Sequence, residues 1–238
     1  MDELRGGELA LVGSGEYLTH MSGIEGALLE GRPPRYVQLA TAAVLDGPSV
    51  VEKWHRLGRE QAARLGVEAI CVPVATRDDA NSPDLAEMIK GAGLIYMSGG
   101  HPGYLADTLR DTLVWQTIVE EWRSGASLAG CSAGAMAMAT WVPSIRHPRE
   151  GGTPGLNLLA HLRVIPHFDA FAARLPDLAT RFMIPKDDAV AIIGVDEDTA
   201  IVGGPYEWRV EGKSSAWRLT RDGREEFPSG SVLVTPAQ

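Results

Sequence analysis

Apolar residues along the chain fall into short unbroken runs, separated by stretches in which they recur every three or four positions. The runs at 8–12, 35–40, 68–74, 93–97, 162–166 and 190–195, with a shorter one at 128–129, have the length of strands. Near-continuous apolar sequence over so few residues marks a strand covered on both faces. Between them, 50–65 puts Val51, Trp54, Leu57 and Leu65 at helical spacing and stops at Gly66, a C-cap residue. Ser82, Pro83 and Asp84 open a helix that runs to about Lys90, with proline in its first turn. Residues 115–123 and 135–139 read as further helices, and so does 170–182. Strand followed by helix, repeated, predicts an α/β fold: a doubly wound, mostly parallel sheet with helices on both faces. After a strand at 200–202 the pattern shifts. Segments 207–210, 216–219 and 232–234 are separated by turn residues at Gly212 and at Asp222 and Gly223, which predicts short antiparallel strands at the C-terminal edge. Residues 144–155, rich in proline, glycine, arginine and histidine, read as an exposed loop.

Composition narrows the class. The 238 residues suit one domain spanning 1–238. With 45% hydrophobic and 22% charged residues, the chain can bury a sizeable core. Its net charge of −9, with scattered basic residues, argues against a nucleic-acid partner. No apolar run is long enough for a membrane span, residues 1–5 do not look like a secretion signal, and two cysteines make no disulfide framework. A cytoplasmic location is expected.

Chemistry concentrates at 127–138, SLAGCSAGAMAM. A strand feeding a helix through G-x-S-x-G is a nucleophile elbow: Ser132 sits at the tip of a strained turn, and flanking glycines let strand and helix pass closely. The N–H of Ala133 then faces the place where an oxyanion would form. The fourth strand ends in Ser98, Gly99, Gly100 and His101, whose two glycines free backbone N–H groups for a second oxyanion donor, either Gly99 or Gly100. His101 itself reads as a turn cap or pocket-lining residue. A serine hydroxyl needs a base, and His167, at the end of the strand at 162–166, is the candidate. His147 and His161 compete, one in a loop and the other ahead of its strand. A base needs an orienting carboxylate; Glu197 and Asp196 are the candidates, with Asp169 behind them. Residues 13–16 look weakly like a phosphate loop, although they lack the remaining fingerprint residues and read better as a tight turn.

Four motifs occur in order: S-G-G-H at 98–101, G-C-S-A-G-A at 130–135, G-L-N-L-L with P-H-F at 155–168, and G-V-D-E-D-T-A at 194–200. Together they resemble the dipeptidase E and cyanophycinase family of serine peptidases, over residues 13 to about 202. The resemblance implies a class I glutamine amidotransferase-like fold, a flavodoxin-like three-layer sandwich. It further implies a triad of Ser132, His167 and Glu197, and hydrolysis of a peptide or isopeptide bond next to an aspartyl residue, with no metal and no cofactor. The partner implied is a small peptide; homodimerisation stays open. An acidic side chain in a pocket must meet local donors or a cation, and His101 and Arg174 are the candidates. Two positions depart from the family pattern. His101 stands where Asn, Asp or Gln is usual, and the region after His167 has a single arginine, Arg174, where cyanophycinases carry a cluster. An amidase or esterase on the same scaffold, or a binding protein that kept the elbow, are the alternative readings.

Overall fold

A computed structural model of the chain describes residues 6–143, 152–172 and 190–236. In chain order the strands are β1 (Leu9–Val12), β2 (Arg35–Leu39), β3 (Glu68–Val72), β4 (Leu94–Met97), β5 (Ser127–Cys131), β6 (Trp141–Pro143), β7 (Gly152–Pro154), β8 (Leu162–Ile165), β9 (Ala191–Val195), β10 (Thr199–Gly203), β11 (Glu207–Gly212), β12 (Ser215–Thr220), β13 (Gly223–Pro228) and β14 (Val232–Val234). The helices are α1 (Ser22–Leu29), α2 (Pro48–Leu65), α3 (Arg77–Ala80), α4 (Pro83–Glu87), α5 (Pro102–Leu109), α6 (Leu113–Arg123), α7 (Ala133–Met138) and α8 (Phe168–Ala172). Beyond α8 the helix expected over 170–182 lies outside the described residues, as do His147 and Arg174.

An eight-stranded sheet runs β14-β11-β10-β1-β5-β4-β2-β3. Its five strands from β1 to β3 pair in parallel; β10, β11 and β14 join antiparallel beyond β1. Each parallel strand alternates between two apolar faces. Leu9, Leu11, Val37, Leu39, Ile95, Met97 and Leu128 point into one core with α5, α6 and α7. Ala10, Val12, Tyr36, Leu94, Tyr96, Ala129 and Cys131 point into the other with α1 and α2. That double burial is why these strands read as unbroken apolar runs. Helix boundaries follow the local chemistry. The C-cap Gly66 takes φ 72°, and the Ser82 hydroxyl caps α4 just ahead of Pro83.

The C-terminal third departs from the expected edge. The β10, β11 and β14 strands do lie there, while β8, β9, β12 and β13 form a separate four-stranded sheet, ordered β13-β12-β9-β8. Pairing partner cannot be read from the period-2 pattern of β12, which fits either sheet equally well. Residues 152–154 of the expected 144–155 loop form β7, which pairs with β6 in a small hairpin. Among the described residues no helix is long and apolar enough to cross a membrane.

The two faces set the location of the site. The chain leaves β1 toward α1 on one face and leaves β5 toward α7 on the other. Because β1 and β5 are neighbours, a crevice opens between their C-terminal ends, the place where doubly wound sheets bind ligands.

Candidate active site

The turn from β5 to α7 lifts Ser132 into this crevice with φ 48° and ψ −103°, a conformation that costs a non-glycine residue of order 1–3 kcal/mol. Its neighbours hold it there. The Ser132 N–H donates to the Val12 carbonyl at 2.9 Å, and the Ser132 carbonyl accepts from the Met136 N–H at 3.0 Å. The flanking glycines are a packing requirement. A Cβ on Gly130 would lie 2.5 Å from the Gly134 carbonyl carbon, and one on Gly134 would lie 2.3 Å from the Met97 carbonyl oxygen. Strand, turn and helix close on each other at distances that admit only hydrogen.

His167 comes from the other sheet. It follows β8 with φ 51°, and its ring reaches back so that Nε2 is 3.0 Å from Ser132 Oγ. Nδ1 is 2.8 Å from Glu197 Oε1. Both side chains are about half exposed, 41% for His167 and 49% for Glu197. Glu197 lies in the tight turn between β9 and β10, where its own N–H donates to Asp169 Oδ1 at 3.1 Å. The neighbouring Asp196 is buried and points elsewhere. It accepts from Trp217 Nε1 at 2.9 Å, from the Ser214 hydroxyl at 2.7 Å and from the Ser215 N–H at 3.2 Å. An imidazole between a hydroxyl and a carboxylate can take the hydroxyl proton on one nitrogen while the other stays oriented. His161, the competing histidine, is fully buried and bonds the Pro205 carbonyl at 2.8 Å; burial pushes its pKa down.

The N–H groups of Ala133 and Gly100 meet no acceptor among the described residues. That of Gly99 does: it donates to Glu16 Oε1 at 3.0 Å. Glu16 stands in the loop after β1, and its second oxygen accepts from the Cys131 thiol at 2.9 Å. Cys131, though next to Ser132, is buried, and burial pushes its thiol well above the usual range. Sequence reasoning passed over Glu16, whose only signal was its place after the glycines at 13–15. Those glycines serve packing: a Cβ on Gly13 would meet the Asp196 carbonyl oxygen at 2.1 Å. His101 pairs with Asp46, Nε2 to Oδ1 2.9 Å. No group of three or more His, Cys, Asp or Glu among the described residues could hold a metal ion.

The model of peptidase family S51 matches residues 9–204. Among solved structures, a peptidase from an acI-B1 actinobacterium is 43% identical, with a TM-score of 0.87 over 96% of this chain and 97% of that one. A protein from Listeria monocytogenes EGD-e assigned as a peptidase E shares the fold at 17% identity. Its TM-score is 0.63, over 88% of this chain and all of that one. Among curated proteins none matches the chain.

Proposed function

The chain belongs to peptidase family S51 and is a serine peptidase; from that premise we propose that it hydrolyses small peptides next to an aspartyl residue, with Ser132 as nucleophile, His167 as base and Glu197 as orienting acid. The observation that carries this reading is the unbroken line of hydrogen bonds from Ser132 Oγ through both nitrogens of His167 to Glu197.

In the proposed reaction His167 Nε2 takes the proton from Ser132 as Oγ attacks the scissile carbonyl. Glu197 holds the Nδ1 proton and stabilises the imidazolium that forms. The N–H groups of Ala133 and Gly100 receive the oxyanion, since the Gly99 N–H is engaged by Glu16. His167 then protonates the leaving amine, and water releases the acyl group from Ser132. An acidic substrate side chain needs a local partner on a molecule of net charge −9. We assign that contact to His101, which the substrate must share with Asp46; Arg174, outside the described residues, is the other candidate. A cytoplasmic location is part of the same proposal.

The test is a panel of α- and β-aspartyl dipeptides together with fluorophosphonate labelling. Wild type should label at Ser132 and cleave aspartyl dipeptides ahead of matched neutral ones. Ser132→Ala should abolish both. His167→Ala should lower kcat by about 10³-fold or more, because triad members act as a unit. Labelling with turnover of esters or simple amides alone would move the protein to the amidase reading. A folded protein that neither labels nor cleaves would make the elbow a relic in a binding protein.

A further inference from the structure

Among the described residues Glu16 is a carboxylate without a counter-ion, at the edge of Ser132. Its oxygens accept from two neutral donors, the Gly99 N–H and the Cys131 thiol. No Lys, Arg or His among the described residues comes within ion-pair distance of it. The side chain is only half buried. Its distance from the chemistry is set by Gly99. From the point where a Gly99 Cβ would stand, Glu16 Oε1 is 2.9 Å away and Ser132 Cβ 3.5 Å away. The two donors fix the carboxylate in place without neutralising it.

A negative charge so near a forming oxyanion opposes the reaction. In a crevice of reduced dielectric, like charges a few ångströms apart raise the barrier substantially. The opposition disappears if the substrate brings a positive charge to the same spot. A peptide attacked at its first residue does so, because its α-ammonium nitrogen is two bonds from the scissile carbonyl carbon. When that carbonyl lies over Ser132 Oγ, the ammonium falls within reach of the half-buried carboxylate. A β-aspartyl linkage moves the ammonium one bond further off, and acylation of the amine removes its charge.

We propose that Glu16 is a specificity residue that binds the free α-ammonium of the substrate, so that the site takes α-linked peptides at their amino-terminal residue. This rests on the reading of Ser132 as nucleophile. It makes the pocket an amine-selective one by two routes, attraction in the ground state and removal of a repulsion in the transition state. Gly99 serves both, since any side chain there would fill the gap between Glu16 and Ser132.

The experiment uses diphenyl α-aminoalkylphosphonates, which phosphonylate an active serine, with the amine free or acetylated, and the matching α-aspartyl, N-acetyl-α-aspartyl and β-aspartyl dipeptides. Fluorophosphonate labelling of Ser132 reports the nucleophile independently. Wild type should prefer the free amine by about a hundredfold in labelling rate and in kcat/KM, the size of a lost buried charge contact. In Glu16→Gln the amide keeps an oxygen for the Gly99 N–H but loses the charge, and the ratio of free to acetylated rates should collapse toward one, the acetylated compounds gaining. Equal rates for free and acetylated compounds in wild type, or a ratio that survives Glu16→Gln, would overturn the proposal. Absence of fluorophosphonate labelling in folded wild type would instead overturn the assignment of Ser132 on which it rests.

Discussion

Asp196 and Glu197 are adjacent carboxylates placed in opposite surroundings. Asp196 is buried and accepts three hydrogen bonds that tie the β9–β10 turn to β12 and the segment before it. Glu197 is half exposed and faces His167. Glu197→Gln should therefore lower kcat by about 10²- to 10⁴-fold with the melting temperature nearly unchanged. Asp196→Asn replaces one acceptor oxygen by a donor facing other donors and should cost about 1–3 kcal/mol of stability, seen as a lower Tm with kcat largely kept. Loss of kcat in Asp196→Asn at unchanged Tm would reverse these roles. Glu25 illustrates burial acting on a carboxylate away from the site. Its Oε2 accepts from the Tyr36 hydroxyl at 2.8 Å, but desolvation dominates and raises its pKa from 4.5 to about 7. Between those two values the folded state holds a proton that the unfolded state has released. The contribution is thus fully present below about pH 4.5 and is lost as pH rises to about 7, on the order of 3 kcal/mol. Urea titrations of wild type and Glu25→Gln from pH 4.5 to 7.5 should differ by this slope. Parallel pH profiles would refute it.

The elbow is an element whose sequence is dictated by contact. Gly134 lies against the backbone of β4, so Gly134→Ala must push α7 away from Met97. A cost of about 1–3 kcal/mol is expected, and Ser132 would move with the helix. Tm should fall and fluorophosphonate labelling should slow together; wild-type values of both would mean the approach is looser than described. The same element shows how local signals and packing divide the work. Small and unbranched residues at 135–139 suit a helix by propensity, yet all six residues of α7 are buried, and it is the close approach to β4 and β5 that leaves no room for a side chain at Gly134 or Gly130. The hairpin β6–β7 shows the reverse case. Its glycine- and proline-rich segment signals a loop, and pairing with Trp141–Pro143 makes it a strand.

At the scale of the molecule, two sheets meet at the crevice. The large sheet carries Ser132, Gly99 and Glu16 at the ends of β5, β4 and β1. The small sheet carries His167 after β8, and the turn from β9 into β10 carries Glu197. Relative position of the two sheets thus decides the 3.0 Å contact between Ser132 and His167. Net charge acts at the same scale. With −9 on the chain, an anionic dipeptide is repelled at long range, and salt screens that repulsion. KM for an aspartyl dipeptide should fall modestly between about 10 and 150 mM salt. A rise would show that a local cationic entrance dominates the approach.

The α/β class, the parallel sheet with helices on both faces, the cap of α2 at Gly66 and the elbow at Ser132 are all legible in the sequence. Each follows from short-range physics: residue period, turn chemistry, and the fact that a doubly covered strand tolerates almost no polar residue. The order of the motifs likewise carried His167 and, by resemblance, Glu197 ahead of Asp196, although residue chemistry alone leaves the two adjacent carboxylates equivalent. The physical separation comes from the fold, which buries one against Trp217 and turns the other toward the imidazole. The separate small sheet, the pairing of His101 with Asp46 and the place of the Glu16 carboxylate beside Gly99 were decided in the same way. These are contacts between residues up to 83 positions apart. No local period or propensity encodes which long-range partner a strand edge or a charged group will meet.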